Sequence, residues 1–269
     1  MNREQKIAYL LEKEHYNIDD LNMIVGILRG EGGCPWDREQ THESIRNDLI
    51  EETYEVIEAI DTKNSELMQE ELGDVLLQVT FHTDIEREAG RFEFGDVTDG
   101  ICRKLIHRHP HVFGDVSVSS SAQVLSNWDK IKSEEKSRVT VTDKLRSIPP
   151  MLPALMRATK VGKKAACFDF ADADAVMLKL DEETAELKAA ISGESRERVA
   201  EELGDLLLTI TSLARKLGVD SEEALRHATD KFIDRFEKVE TEVLRQGMNM
   251  DALEMQELDK IWDKIKQNK

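Results

Sequence analysis

Glu51-Glu52-Thr53-Tyr54-Glu55, followed by Glu70-Glu71-Leu72-Gly73-Asp74, is the stretch on which the fold turns, because the chain contains it twice. It returns as Glu182-Glu183-Thr184-Ala185-Glu186 and Glu201-Glu202-Leu203-Gly204-Asp205. The spacing is constant: 182 − 51, 186 − 55, 202 − 71 and 205 − 74 all equal 131. An offset kept through two segments and their connection marks a duplicated unit. In each copy, Glu-x-x-Glu and Glu-x-x-Asp set two acids on successive helical turns, about 60° apart around the axis. A short turn makes the two helices antiparallel neighbours. Glu52, Glu55, Glu71 and Asp74 can then face one another, as can Glu183, Glu186, Glu202 and Asp205. Converging carboxylates are costly unless cations neutralise them. Oxygen ligands of this kind suit a hard ion, Mg²⁺ first, with Mn²⁺ as a substitute.

A plainer reading is a solvated stripe on an ordinary surface helix. Two features oppose it. Glu-Glu-Leu-Gly-Asp is verbatim in both copies, each time followed by an apolar triplet, whereas a solvated face tolerates Lys, Gln or Ser freely. Gly73 and Gly204 also sit inside helical patterns, where glycine costs about 1 kcal/mol relative to alanine. Close approach of a backbone or a ligand would explain that cost.

Composition sets the bounds. The chain has 269 residues, 40% hydrophobic and 34% charged, which describes an ordered, water-soluble protein of two domains. Few aromatics, few prolines and many Leu, Glu, Lys and Ala point to helices. The net charge of −18 argues against nucleic acid as a partner. Three widely spaced cysteines with no CxxC fit reduced thiols in the cytoplasm. No segment has the length or apolarity of a membrane span or signal peptide.

The pattern predicts an all-α fold of two tandem repeated helical-bundle domains, 1–137 and 151–269, joined by a linker at 138–150 within the Ser137–Pro153 stretch, which contains Pro149, Pro150 and Pro153. Ser44 is expected to begin the first acidic helix. Asp61 to Asn64 and Ser192 to Ser195 are the expected turns, Ser65 caps the helix that follows, and Gly90 and Gly218 close the second helix of each pair. A further helix is expected from Ser121 to about Lys136. Period-two alternation is nearly absent, so strands are not expected.

The ordered series resembles the two-domain MazG family of all-α nucleoside triphosphate pyrophosphohydrolases. The resemblance rests on Gly33-Cys34-Pro35-Trp36-Asp37, the first acidic set, Arg108-His109-Pro110-His111-Val112-Phe113, Leu152 to Ala158, and the second acidic set. It implies Mg²⁺-dependent hydrolysis of NTPs and dNTPs to monophosphate and pyrophosphate by a helical homodimer. It makes the two sets of four acids metal ligands, with the C-terminal half the usual carrier of activity. Glu51 or Glu182, outside the tightest coordination, can take the proton of the attacking water. Lys104 and Arg108, and Lys231 and Arg235 at an offset of 127, are candidates for the outer phosphates, with salt bridges to surface acids as the alternative. Lys160, Lys163 and Lys164 are further phosphate candidates, or a solvated cationic face. Trp36 can stack on a base, although burial behind the glycine loop is its expected fate. His107, His109 and His111 do not share a helix face, so no zinc tract is expected.

The second half departs from the family pattern at Ala166-Cys167-Phe168-Asp169-Phe170, where related chains read Val-Gly-Phe-Asp-Trp. Rival readings are a narrower pyrophosphohydrolase, like a dimeric dUTPase or a phosphoribosyl-ATP hydrolase, and a catalytically silent helical interaction protein. A di-iron bundle is disfavoured, because neither acidic set has a His three residues after a Glu.

Overall fold

The computed structural model describes residues 1–135, 140–193 and 195–267, and every regular element among them is helical. Residues 136–139, where the helix from Ser121 was expected to end and the linker to begin, lie outside the described residues. So do Glu194 of the second expected turn and residues 268–269. The chain divides into two compact units, Met1–Lys132 and Ser133–Lys269. No described helix is long and apolar enough to cross a membrane.

The first unit contains α1 (Arg3–Leu11), α2 (Ile18–Arg29), α3 (Pro35–Glu39), α4 (Arg46–Thr62), α5 (Ser65–Glu88), α6 (Phe94–Arg108) and α7 (Pro110–Phe113), and α8 (Ser121–Glu135) begins in it. Helices α4 and α5 carry the first acidic set and pack against each other. Their turn is tighter than expected. Helix α4 runs to Thr62, Lys63 takes the left-handed conformation at φ 54°, and Asn64 caps α5 by accepting from the amides of Glu66 and Leu67. Asn64 displaces Ser65 from that role because its carbonyl reaches two of the unpaired N–H groups at the helix start. Ser44 likewise lies before α4, where its hydroxyl accepts from the Thr41 amide. Gly90 (φ 67°) and Gly218 (φ 70°) end the second helix of each pair in the left-handed region, as the sequence indicates.

The core of this unit joins Val25 of α2, Ile45 and Phe81 of α5, flanked by Leu21, Leu77 and Ile85. Arg29 seals it. Its guanidinium lies 5.1 Å from the Phe81 ring centroid, donates to the carbonyls of Asp37 (2.6 Å) and Gln40 (3.2 Å), and bonds Glu88 at 2.8 Å. It also faces the buried Asp84 at 3.6 Å.

The second unit contains α9 (Val141–Arg146), α10 (Ala154–Lys164), α11 (Ala173–Gly193), α12 (Arg196–Lys216), α13 (Ser221–Arg245) and α14 (Met255–Gln267), with 3₁₀ turns at Ala166–Phe168 and Met250–Ala252. The stretch expected to be a linker therefore holds a helix. Thr140 and Asp143 form a reciprocal capping box around the start of α9, α9 packs on α10, and Ile148 is buried. A capping box satisfies orphan donors even in a six-residue helix, which apolar periodicity is too short to reveal.

Helices α11 and α12 repeat the acidic hairpin and pack against each other. The position of the buried Asp84 carries the opposite charge here, in a half-buried ion pair whose acid does not correspond to Arg29. Asp84 of α5 corresponds, at an offset of 131, to Arg215 of α12, which binds both oxygens of Asp169 while Lys216 bonds the same carboxylate at 2.9 Å. Arg215 first and Lys216 second hold the Asp169 carboxyl well below its ordinary value of 3.8. A depressed acid contributes stability that is present above its unfolded pKa and is lost as pH falls below about 4. Asp169→Asn is expected to lower the melting temperature at neutral pH and to flatten its decline in acid. Parallel acid limbs for variant and wild type would refute this.

Candidate active site

Each hairpin gathers three of its four expected acids. Ligand atoms of Glu52, Glu55 and Glu71 all lie within 4.8 Å of one another, as do those of Glu183, Glu186 and Glu202. Asp74 and Asp205 stand outside these trios, yet each is near enough for its charge to act on them. Glu71, Glu183 and Glu202 are buried, whereas Glu186 and Asp205 are exposed. The second site thus has a buried floor and an open rim, whereas Glu52, Glu55 and Asp74 of the first are half-buried.

The two trios differ in what neutralises them. In the second, Lys179 bonds Glu183 Oε1 at 2.7 Å and Arg198 pairs with Glu202 Oε1, both from one turn earlier on the same helix. The other oxygen of each buried acid, Glu183 Oε2 and Glu202 Oε2, accepts no hydrogen bond. A buried carboxylate oxygen without a donor is costly, and two of them in one trio fit a coordinated cation. Burial above all, then Glu186, Glu183 and Asp205, raise the Glu202 pKa against the opposing effect of Arg198. In the first half, Asp48 and Leu67 occupy the positions of Lys179 and Arg198. Burial, a hydrogen bond with Glu55 and the charges of Asp74, Glu55 and Glu71 push Glu52 up to about 7. Burial and Glu55 also raise Glu71.

Lys179 and Arg198 were not singled out by the sequence reading, although a cation four residues before each buried Glu was a visible signal. Lys179 also holds Glu182 at 2.7 Å, which fixes that exposed carboxylate beside Glu183. Glu51 is exposed and lies outside the first trio.

The remaining cations separate. Arg108 is buried and lies over the Trp128 ring at 5.4 Å, with Lys132 over the same ring at 4.7 Å. That position favours packing over an accessible phosphate contact. Lys104 and Lys231 are exposed and Arg235 is half-buried, and none of the three is in an ion pair among the described residues. Lys160 and Lys163 are exposed and Lys164 half-buried on α10, which packs against α12 and α13.

Two expectations need correction. Trp36 is 60% exposed rather than buried. The glycine loop closes through its backbone, with the Cys34 amide bonded to the Leu28 carbonyl at 2.8 Å and Gly33 packed where a Cβ would collide with that oxygen. Arg29 fastens α3 by its carbonyls, so the indole is not needed as a cover. At Gly73 and Gly204 an added Cβ would meet nothing within 4 Å, so among the described residues no other backbone approaches either glycine closely.

Fold and site together define an all-α tandem-repeat protein with a carboxylate cluster on each helical hairpin. The chain belongs to the MazG family: the MazG nucleotide pyrophosphohydrolase domain matches residues 40–113 and again 171–240. It is 45% identical over 250 residues to the nucleoside triphosphate pyrophosphohydrolase/pyrophosphatase MazG of Thermotoga maritima, covering 92% of this chain and 95% of that one. It is 41% identical over 256 residues to the nucleoside triphosphate pyrophosphohydrolase of Escherichia coli, covering 93% and 97%. Similarity to YabN of Bacillus subtilis, 39% over 268 residues, spans 98% of this chain and 53% of that protein.

Proposed function

We propose that this chain is a Mg²⁺-dependent pyrophosphohydrolase that converts NTPs and dNTPs to the monophosphate and pyrophosphate with broad base tolerance. The observation that carries this is the pair of buried, donorless oxygens on Glu183 and Glu202, flanked by Lys179 and Arg198. Relatives aligned over nearly their full length bear the name of that activity.

Glu183, Glu186 and Glu202 would hold the ion, with Asp205 at the rim and Glu52, Glu55, Glu71 and Asp74 as the corresponding set in the first half. Bound there, Mg²⁺ or Mn²⁺ supplies charge neutralisation on the phosphates and a lowered pKa for the attacking water. Lys179 and Arg198 now neutralise the carboxylates, and a phosphate group placed over the trio competes for their N–H donors. Lys231 and Arg235, free of ion pairs among the described residues, would receive the outer phosphates. Glu182, anchored by Lys179 beside the trio, would accept the proton of the water. The second half is the better equipped, since the first has neither cation.

Assembly as a homodimer is supported by apolar side chains left in the open. Leu72 and Leu76 on α5, Leu203 and Leu207 on α12, and Phe232 and Ile233 on α13 are all exposed. Exposed apolar surface of this kind marks an interaction face. Gly73 and Gly204 adjoin these leucines along their helices.

The test is pyrophosphate release across the eight common nucleotides with Mg²⁺, repeated with each cluster neutralised. Comparable turnover of several bases is expected, and strict preference for one would overturn the broad specificity. The pair Glu183→Gln and Glu202→Gln should abolish release, whereas Glu52→Gln with Glu71→Gln should leave most of it. The reverse pattern would move catalysis to the first half, and survival of release in both variants would exclude the carboxylate site.

A further inference from the structure

One cluster of ionisable side chains in the first unit has no part in the carboxylate site. His42 precedes α4, while His82 and Glu86 lie one turn apart near the end of α5. They occupy the end of the hairpin opposite the Lys63–Asn64 turn. The two imidazoles meet edge to edge, with centroids 5.0 Å apart and planes 15° from parallel. Their Nδ1 atoms are 2.7 Å apart, and His42 Nε2 lies 2.6 Å from Glu86 Oε1.

The protonation pattern follows from these contacts. Arg91, and after it His42, hold the Glu86 carboxyl down to about 2. An ionised carboxylate orients a proton onto His42 Nε2, and in the neutral ring that tautomer presents Nδ1 as a lone pair. Burial, and then His42, lower the His82 pKa, which favours its neutral form. Two imidazole nitrogens therefore converge on a spot that holds one proton. Beside them opens a cavity of about 450 Å³, walled by Leu49, Val79, Phe92 and Val97. The second half repeats the acidic hairpin without this arrangement, having Ala173, Leu213 and Leu217 at the offset of 131. A hairpin of this design folds without the histidine pair, so packing alone does not account for it.

We propose that His42 and His82 bind a divalent transition ion of the Zn²⁺ class through both Nδ1 atoms, separately from the hard-ion site on the carboxylates. Imidazole donors select such ions, whereas carboxylate and water ligands suit Mg²⁺. Glu86 takes the place of the outer carboxylate that orients a ligating histidine from its far nitrogen. On binding, His82 carries its proton on Nε2 instead of Nδ1, so both ligands remain neutral and no proton is lost. Zn–N bonds of about 2.0–2.1 Å at a tetrahedral angle set the nitrogens ~3.3 Å apart, so the nitrogens part by roughly half an ångström and the rings turn out of line toward the ion. Water from the cavity completes the coordination. The ion clamps the start of α4 to the end of α5, the open end of the hairpin that carries Glu52, Glu55 and Glu71.

The experiment uses the full-length protein with Mg²⁺ in excess to hold the carboxylates, titrated with Zn²⁺ by calorimetry and by thermal melting. One Zn²⁺ per chain is expected, with a melting temperature that climbs with Zn²⁺ concentration. His42→Ala and His82→Ala should each lose both responses, and Glu86→Gln should weaken binding by about 10–100-fold. Glu52→Gln with Glu71→Gln should keep both. Unchanged Zn²⁺ responses in the histidine variants would overturn the proposal, as would loss of the response in the carboxylate variant. Absence of Zn²⁺ binding by the wild type would reduce the pair to a shared proton and also overturn it. If the alanine variants do not fold, X-ray absorption on the Zn²⁺-loaded wild type decides. Two imidazole nitrogens in the shell support the site, and an oxygen-only shell overturns it.

Discussion

Replacing Glu202 with glutamine is expected to lower pyrophosphate release by at least about 10²–10³-fold while leaving the metal-free protein no less stable. The two halves of that result share one cause. Glu202 is 2% exposed, one of its oxygens pairs with Arg198, and the other has no donor. Holding a negative charge there opposes burial and the charges of Glu186, Glu183 and Asp205, which is why its pKa is raised. Glutamine removes the charge at nearly constant volume, relieving the metal-free protein and depriving the ion of a ligand. Mg²⁺ should raise the wild-type melting temperature, because a ligand bound only by the folded state stabilises it by mass action. That Mg²⁺ response should shrink in the variant. Full activity in Glu202→Gln at saturating Mg²⁺ would sink the carboxylate site, whatever the melting curves show.

The acids were legible because the same chemistry is written twice at one offset, and helical spacing alone sets Glu52 near Glu55 and Glu202 near Asp205. Which three of the four converge was not legible. Asp74 and Asp205 lie one turn beyond Glu71 and Glu202, and helix rotation, set by packing, decides whether that extra turn faces the partner helix. Packing also mixes polarities on the buried side of α5. Its leucine-rich pattern suggests an apolar stripe turned inward, yet Glu71, Gln78, Thr80 and Asp84 are buried while Leu72 is 51% exposed. Hydrophobic periodicity reports that a helix has two faces. It does not report which face packs inward, nor that Arg29 makes a buried Asp84 tolerable. The glycine loop shows the same limit. Trp36 reads as a core residue by composition, but backbone bonds and the Arg29 guanidinium close the loop first.

Arg29→Met is the structural counterpart, expected to cost about 3–5 kcal/mol of stability, the usual penalty for removing one member of a buried ion pair. Arg29 is 5% exposed and Asp84 is 2% exposed. Without the guanidinium, Asp84 keeps only Arg87, at 2.8 Å, among the described residues, while Glu88, partly exposed, is solvated by water. Adding Asp84→Leu to Arg29→Met should recover much of the loss, because a buried pair replaced by packed apolar groups removes both desolvation penalties. Recovery should stay incomplete. The carbonyls of Asp37 and Gln40 lose their shared donor in either variant, so the α3 loop bearing Trp36 should remain more open to proteolysis in both. Stability and loop protection therefore separate in the double variant. A single variant that melts with the wild type would show that Arg29 only caps the core, and a double variant with full loop protection would show that α3 is held by other contacts.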